Sequence, residues 1–273
     1  DGYAGGYGGD YMTPEQEIPD AVDKGLDWET CMTMNDRWGY NMSDKNFKST
    51  TDLLRKLSDI VSKSGNFLLN IGPKPDGTFP EESIQRLSEI GDWMDVNGEA
   101  IHGTVGSPFA SLEWGRATQK FHESSTTLYM HVFDWPKNGK LVIPGLAGTV
   151  TSARILGGEN VSFAVGQGEV TVNVPSQMPN EHIGVIAVEV QGKPVIYEAP
   201  EILAPAEVFV NELEIELSVG SENLEIRYAI NGNTTYGIYR TPIRLVGTTT
   251  IHARSFDGNN PVSKTVTKTF TKV

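Results

Sequence analysis

Glu15 and Glu17 stand two positions apart in GDYMTPEQEIP, residues 9–19, between Pro14 and Pro19. Proline fixes its own φ, restricts the residue before it and removes an amide donor, so a stiff loop is expected here rather than helix or central strand. A carboxyl group held still can deliver a proton to a defined atom, and misplacement by about an ångström can cost ~100-fold in rate. The same residues also suit a solvated turn. Two other side chains invite chemistry: Glu29, inside LDWETCMTM at 26–34, and Trp38, in NDRWGYN at 35–41. A tryptophan beside Gly39 and Tyr40 can pack on the C–H face of a sugar while Asn35 and Asn41 bond its hydroxyls; it can equally be core.

The elements around these residues read as follows. LDWETCMTM has the length and apolar content of a buried strand, with the Trp38 loop after it. Ser49, with Asp52 three residues on, resembles a capping box, and Leu53, Leu54, Leu57, Ile60 and Val61 then share one helical face, with Gly65 as the stop. NFLLNIGP at 66–73 is a continuous apolar run, the pattern of a strand covered on both faces in a parallel sheet. Asp76 and Gly77 make a turn. Pro80 opens a second helix with Glu81 and Glu82 in its first turn; Ile84, Leu87, Ile90 and Met94 are expected to face inward, and Asn97-Gly98 to end it. Strand, loop, helix, repeated, is the order of an α/β barrel, whose functional groups project from loops at the carboxyl ends of strands. Two such units cannot close a barrel of eight.

From about residue 104 the period changes to short alternating strands: TLYMHVF, KLVIP, ARIL, VSFAV, EVTVNV and GVIAVEV. YEAPEILAPAE at 197–207 reads as a linker, and LEIELSV, LEIRYAI, PIRLV, TTIHARSF and KTVTKTF follow as another all-β unit. The expected fold class is α/β plus all-β: a partial (β/α)8-like barrel over 1–103, a β-sandwich over 104–200, and a small fibronectin-like or immunoglobulin-like β-module over 201–273.

With 22 Lys and Arg against 35 Asp and Glu, the chain carries a formal charge of −13 and should repel nucleic acid and anionic membranes. No run approaches the roughly 18 apolar residues of a membrane span. Cys31 is the single cysteine, which excludes an internal disulfide and a cysteine-based metal site. His102, His122, His131, His182 and His252 lack metal-motif spacing, so neither metal nor cofactor is expected. Asp1 opens directly into a glycine-tyrosine run with no element before it, the look of the latter part of something larger.

TPEQEIP, LDWETCMTMNDRWGYN, SGNFLLNIGPKPDGTFP and RLSEIGDWMDVNGEAIHGT together resemble, in order and spacing, the latter part of the catalytic domain of the α-L-fucosidases of glycoside hydrolase family 29. Residues 104–200 resemble the β-sandwich that follows the barrel in that family. Residues 201–273 resemble the chitobiase/hexosaminidase C-terminal or fibronectin type III-like modules appended to bacterial glycosidases. The resemblance implies a retaining hydrolysis of terminal α-L-fucose from glycoconjugates, in which an aspartate attacks the anomeric carbon and a second carboxyl group acts as acid and then base. By position, Glu15 matches that acid/base, Glu29 is the alternative or an orienting group, and Trp38 matches the aromatic residue against the sugar. It also implies that the aspartate and the fucose-binding histidines belong to an N-terminal part of the same protein, without which this chain is expected to be inactive, and a periplasmic or extracellular location.

Two rival readings accompany this one. A carbohydrate-binding protein with a vestigial barrel would place function in residues 104–273, and a glycosidase of different sugar specificity, such as a hexosaminidase, would rest on the last module alone.

Overall fold

A computed structural model of the chain describes residues 11–20, 22, 25–221 and 223–273. The glycine-tyrosine run at the start lies outside the described residues. Among them, contacts divide the chain into two compact bodies. The first comprises the described residues up to Gly139 with Val150–Ser162 and Val174–Lys193; the second comprises Lys140–Thr149, Phe163–Asn173 and the described residues from Pro194 to Val273. Residues 104–200 therefore contribute to both.

In the first body, β1 (Glu29–Thr33) pairs in parallel with β2 (Asn66–Asn70), and the helix α1 (Thr50–Ser62) connects them. The predicted cap is present: the Ser49 hydroxyl accepts from the Asp52 amide at 3.1 Å. Leu53, Leu54 and Ile60 are fully buried, each a gain of roughly 1.5–3 kcal/mol. The helix ends one residue earlier than the sequence suggests. Ser64, not Gly65, takes the left-handed conformation (φ 60°), the Ser64 amide donates to the Val61 carbonyl, and the Gly65 amide donates to the Ile60 carbonyl at 3.0 Å, a paired closure of the last turn. Gly65 is required for a different reason: a Cβ there would lie 2.3 Å from the Trp28 ring. Trp28 is 1% exposed, and its indole N–H donates to the Lys63 carbonyl at 2.9 Å.

β2 is covered on one face only among the described residues, because Leu68 is 52% exposed; the expectation of two covered faces does not hold. The helix α2 (Glu81–Asn97) carries Glu81 and Glu82 in its first turn as expected. Its inward stripe, however, runs through Ser83, Trp93 and Asn97 with Ile90 and Met94 beside them, while Ile84 and Leu87 are exposed. A two-χ aromatic at 93 outweighs the smaller aliphatics in setting which face is buried. Beyond α2, β3 (Gly115–Phe121) and β4 (Ser125–Val132) join strands 184–191 and 150–155 in an antiparallel sheet. The core of this body gathers Leu54 of α1, Trp93 of α2, and Tyr129, Leu156, Val185 and Ala187 of the sheet region.

The second body is all-β. Strands 140–144, 163–165 and 169–173 form one antiparallel sheet. Strands 201–203, 213–218 and 243–245 form another, and a larger one contains 225–230, 249–257 and 266–272. Ile215, Ile251, Ala253 and Phe270 are buried completely at its centre.

Candidate active site

The segment Met12–Gln16 is not a free loop. Its chain runs parallel to β1: the Met12 amide donates to the Asp27 carbonyl and the Glu29 amide to the Met12 carbonyl, both at 2.9 Å, and the Gln16 amide donates to the Cys31 carbonyl at 2.9 Å. Between these rungs Pro14 contributes only its carbonyl, which accepts from Cys31. The pairing is therefore reduced to the bridges Met12↔Trp28 and Glu15↔Cys31 instead of a continuous strand. The prolines limit the strand; they do not abolish it.

Paired residues of a parallel ladder share a face. The bridge and register put Glu15, Glu29, Cys31 and Leu68 on one side of the three chains, and Trp28, Thr30 and Met32 on the other. The second side is buried, with Trp28 packed against the end of α1. The first is open: Glu15 is exposed, while Glu29 and Cys31 are half-buried. Glu15 follows directly on the buried Pro14, and Glu29 lies one pleat earlier on the neighbouring strand. Glu17 is exposed, and its carbonyl accepts from the Thr30 hydroxyl at 2.8 Å.

Trp38 sits in the loop after β1 and is 41% exposed. Two features fix its height. Asn70, the last residue of β2, donates from Nδ2 to the Trp38 carbonyl at 2.7 Å. Gly72, two residues on, lets the Tyr40 backbone settle where a Cβ would meet the Tyr40 nitrogen at 2.7 Å. The rest of the loop is self-bonded, with Asp44 accepting from the amides of Asp36 and Asn46 at 3.0 and 3.1 Å. A cavity of about 310 Å³ lies here, lined by Asn35, Tyr40, Asn41, Lys45, Asn70 and Glu82 among others. Glu15 pairs with β1 two register positions short of the strand's carboxyl-terminal rim, and Trp38 follows five residues beyond its last residue, Thr33.

Residues that the sequence did not single out tie this rim together. Gln16 bonds Thr33 through its side chain, and Lys48 Nζ donates to the Thr33 and Asn35 carbonyls at 2.7 and 3.3 Å. Burial, ahead of the neighbouring Lys56 charge, lowers the Lys48 pKa below the usual lysine value. Arg86 stacks on Phe47, 5.7 Å from the ring centre, and donates to the Lys48 carbonyl. No spacing rule finds such partners, since each joins side chain to backbone across different segments. Among the described residues no cluster of His, Cys, Asp and Glu could hold a metal ion, and no helix is long and apolar enough to cross a membrane.

The α-L-fucosidase family profile matches residues 2–99, which hold Glu15, Glu29 and Trp38. Over this segment the chain is similar to the α-L-fucosidases. An α-L-fucosidase of Dictyostelium discoideum is 32% identical over 171 residues, which are 57% of this chain and 36% of that protein. The α-L-fucosidase isoenzyme 1 of Paenibacillus thiaminolyticus superposes with a TM-score of 0.61 at 35% identity, covering 67% of this chain and 45% of its own. A family 29 α-L-fucosidase of Bacteroides thetaiotaomicron, solved as a trapped covalent intermediate with 2-fluoro-fucosyl fluoride in a Glu-to-Gln mutant, superposes at 0.59 with 29% identity, covering 66% of this chain and 43% of its own. The chain thus spans less than half the length of each of these relatives. Residues 215–270 match a second family, described as Fn3 associated. Part of an α/β barrel followed by β domains is the architecture that fits this likeness.

Proposed function

We propose that this chain carries the acid/base end of a retaining α-L-fucosidase that removes terminal α-L-fucose from fucosylated glycans. The observation that carries the reading is the placement of Glu15: exposed, braced by buried Pro14, and on the open face at the carboxyl ends of parallel strands within the fucosidase-matched segment. Glu15 protonates the departing glycosidic oxygen as the C–O bond breaks, and later takes a proton from the water that releases fucose. The aspartate nucleophile is supplied elsewhere in the whole protein, with the two carboxyl groups ~5 Å apart as retention requires. The covalent intermediate trapped in the Bacteroides relative is what a retaining mechanism produces. Trp38 provides an apolar floor for the C–H and 5-methyl face of fucose. Glu29, half-buried on the same face, is the alternative acid/base and otherwise orients the site.

Along the sequence, residues 1–103 form the barrel portion, 104–200 the sandwich and 201–273 a fibronectin-like module, a reading that the Fn3 associated match supports. A periplasmic or extracellular enzyme acting on exposed glycans accords with the family. In the whole protein, Glu15→Ala is expected to slow fucosides with poor leaving groups by ~100-fold or more, to leave activated aryl fucosides far less affected, and to be partly rescued by azide. Equal rates for wild type and variant on natural linkages would remove Glu15 from the mechanism.

A further inference from the structure

We propose that Gln16, Thr33 and Lys48 form a positioning clamp that locks the Glu15 segment and the Trp38 loop into one fixed arrangement; this rests on the reading of Glu15 as acid/base. Thr33, the last residue of β1, is 1% exposed, and three of its polar groups are engaged by other segments. Its hydroxyl accepts from Gln16 Nε2 at 2.9 Å, and its amide donates to Gln16 Oε1 at 3.4 Å. Its carbonyl accepts from Lys48 Nζ at 2.7 Å. The Thr33 hydroxyl in turn donates to the Asn35 carbonyl, to which Lys48 Nζ also donates at 3.3 Å. The hydroxyl thus uses its one proton and one of its lone pairs, and the Gln16 side-chain amide both gives a bond to Thr33 and takes one from it.

The two ends of the clamp are the two parts of the site. Gln16 is the residue after Glu15, and Asn35 lies three residues before Trp38 in the same loop. Gln16 is also held with φ 58°, a left-handed conformation that a residue with a β-carbon keeps only when its surroundings fix it. Here its main-chain amide and both ends of its side-chain amide are bonded to Cys31 and Thr33 of β1. The backbone reverses hand immediately after Glu15, and the side chain that makes this possible is tied to the strand leading into the Trp38 loop. Gln16, Thr33 and Lys48 do not touch substrate in this scheme; they act through Glu15 and Trp38.

The test uses the whole fucosidase and a series of aryl fucosides running from activated to poor leaving groups. Thr33→Val and Gln16→Ala are each expected to lower kcat for poor leaving groups by about tenfold while activated substrates change little, because only the former need a correctly placed proton. Thr33→Ser, which keeps the hydroxyl, should retain the wild-type profile, and combining Thr33→Val with Gln16→Ala should cost no more than either alone. A structural defect lowers all substrates alike, and that outcome overturns the clamp. Glu15→Ala run beside these variants separates the two ideas. If it shows the leaving-group dependence and the clamp variants do not, the clamp is wrong and Glu15 stands; if it shows none, both fall. Where Thr33→Val does not fold, Gln16→Glu removes the donor and keeps the acceptor, and an unchanged leaving-group profile in it rejects the clamp.

Discussion

Among the described residues of the first body, the non-glycine ones with left-handed backbone are Gln16 and Ser64: one follows the candidate proton donor, the other closes α1 beneath Trp28. In the second body, the residue of that kind among those described is Asn231, followed by Gly232 with φ 75°, where the Asn233 amide donates to the Ile230 carbonyl. That is a β-turn at the end of strand 225–230 with Asn-Gly at its centre, where left-handed backbone is chemically cheap. The first body also keeps carboxylates on an open strand face and a polar knot at a strand end, whereas Ile215, Ile251, Ala253 and Phe270 of the second form an apolar centre. Unfavourable local geometry gathers where a side chain must be aimed, and is missing where strands need only pack.

The first body can be followed by itself, since Trp28, Trp38, Trp93, Trp114 and Trp135 all belong to it, whereas tyrosines stand in both, Tyr11, Tyr40 and Tyr129 in the first and Tyr197, Tyr228, Tyr236 and Tyr239 in the second. The largest effect is expected from Phe270→Ala, which empties a completely buried site and should cost about 3–5 kcal/mol, read from amide hydrogen exchange in strands 249–257 and 266–272. In the whole enzyme, the ratio of rates on poor and activated fucosides should stay unchanged.

Next is a pH effect confined to the first body. His131 of β4 is completely buried between the Ser58 hydroxyl (3.2 Å) and the Thr118 hydroxyl (3.1 Å), and burial pushes its pKa down to about 4 from 6.5. The unfolded chain therefore binds a proton between those values that the folded chain refuses. This contribution is complete above pH 6.5 and is lost as pH falls toward 4, up to about 3 kcal/mol. The tryptophan-detected urea midpoint should drop accordingly between pH 7 and pH 4.5, and a flat profile would contradict the neutral buried imidazole. The smallest effect is that of Gly65→Ala, whose new methyl must displace the Trp28 ring at a cost of about 1–3 kcal/mol, read from the same transition and a shifted emission maximum.

Much of the first body was legible in sequence because its signals are local. Ser49 caps α1, and Asp76 and Gly77 turn the chain with Asp76 accepting from the Thr78 amide at 3.0 Å; in the second body KLVIP is likewise a strand over the residues expected. What escaped depends on partners distant in sequence. The Met12–Gln16 pairing needs β1 alongside before Pro14 can be tolerated, and GRATQKF, too polar to announce a strand, becomes β3 through its pairing with β4. The inward face of α2 was misjudged because its own period cannot say that Trp93 will donate to the Ile183 carbonyl. At the candidate site, side-chain types pointed to Glu15, Glu29 and Trp38, but Thr33 and Lys48 gave no sign, since a threonine at a strand end and a lysine before a helix are ordinary in composition.

Gly72 shows how a site can depend on an atom that is not there. The Tyr40 main chain rests where any larger residue at 72 would have to be, so the elevation of the aromatic platform above the sheet is set by the thickness of one hydrogen. Random mutagenesis at that codon would meet a geometric veto rather than a chemical one: side chains of every polarity are refused alike, because each begins with the same carbon.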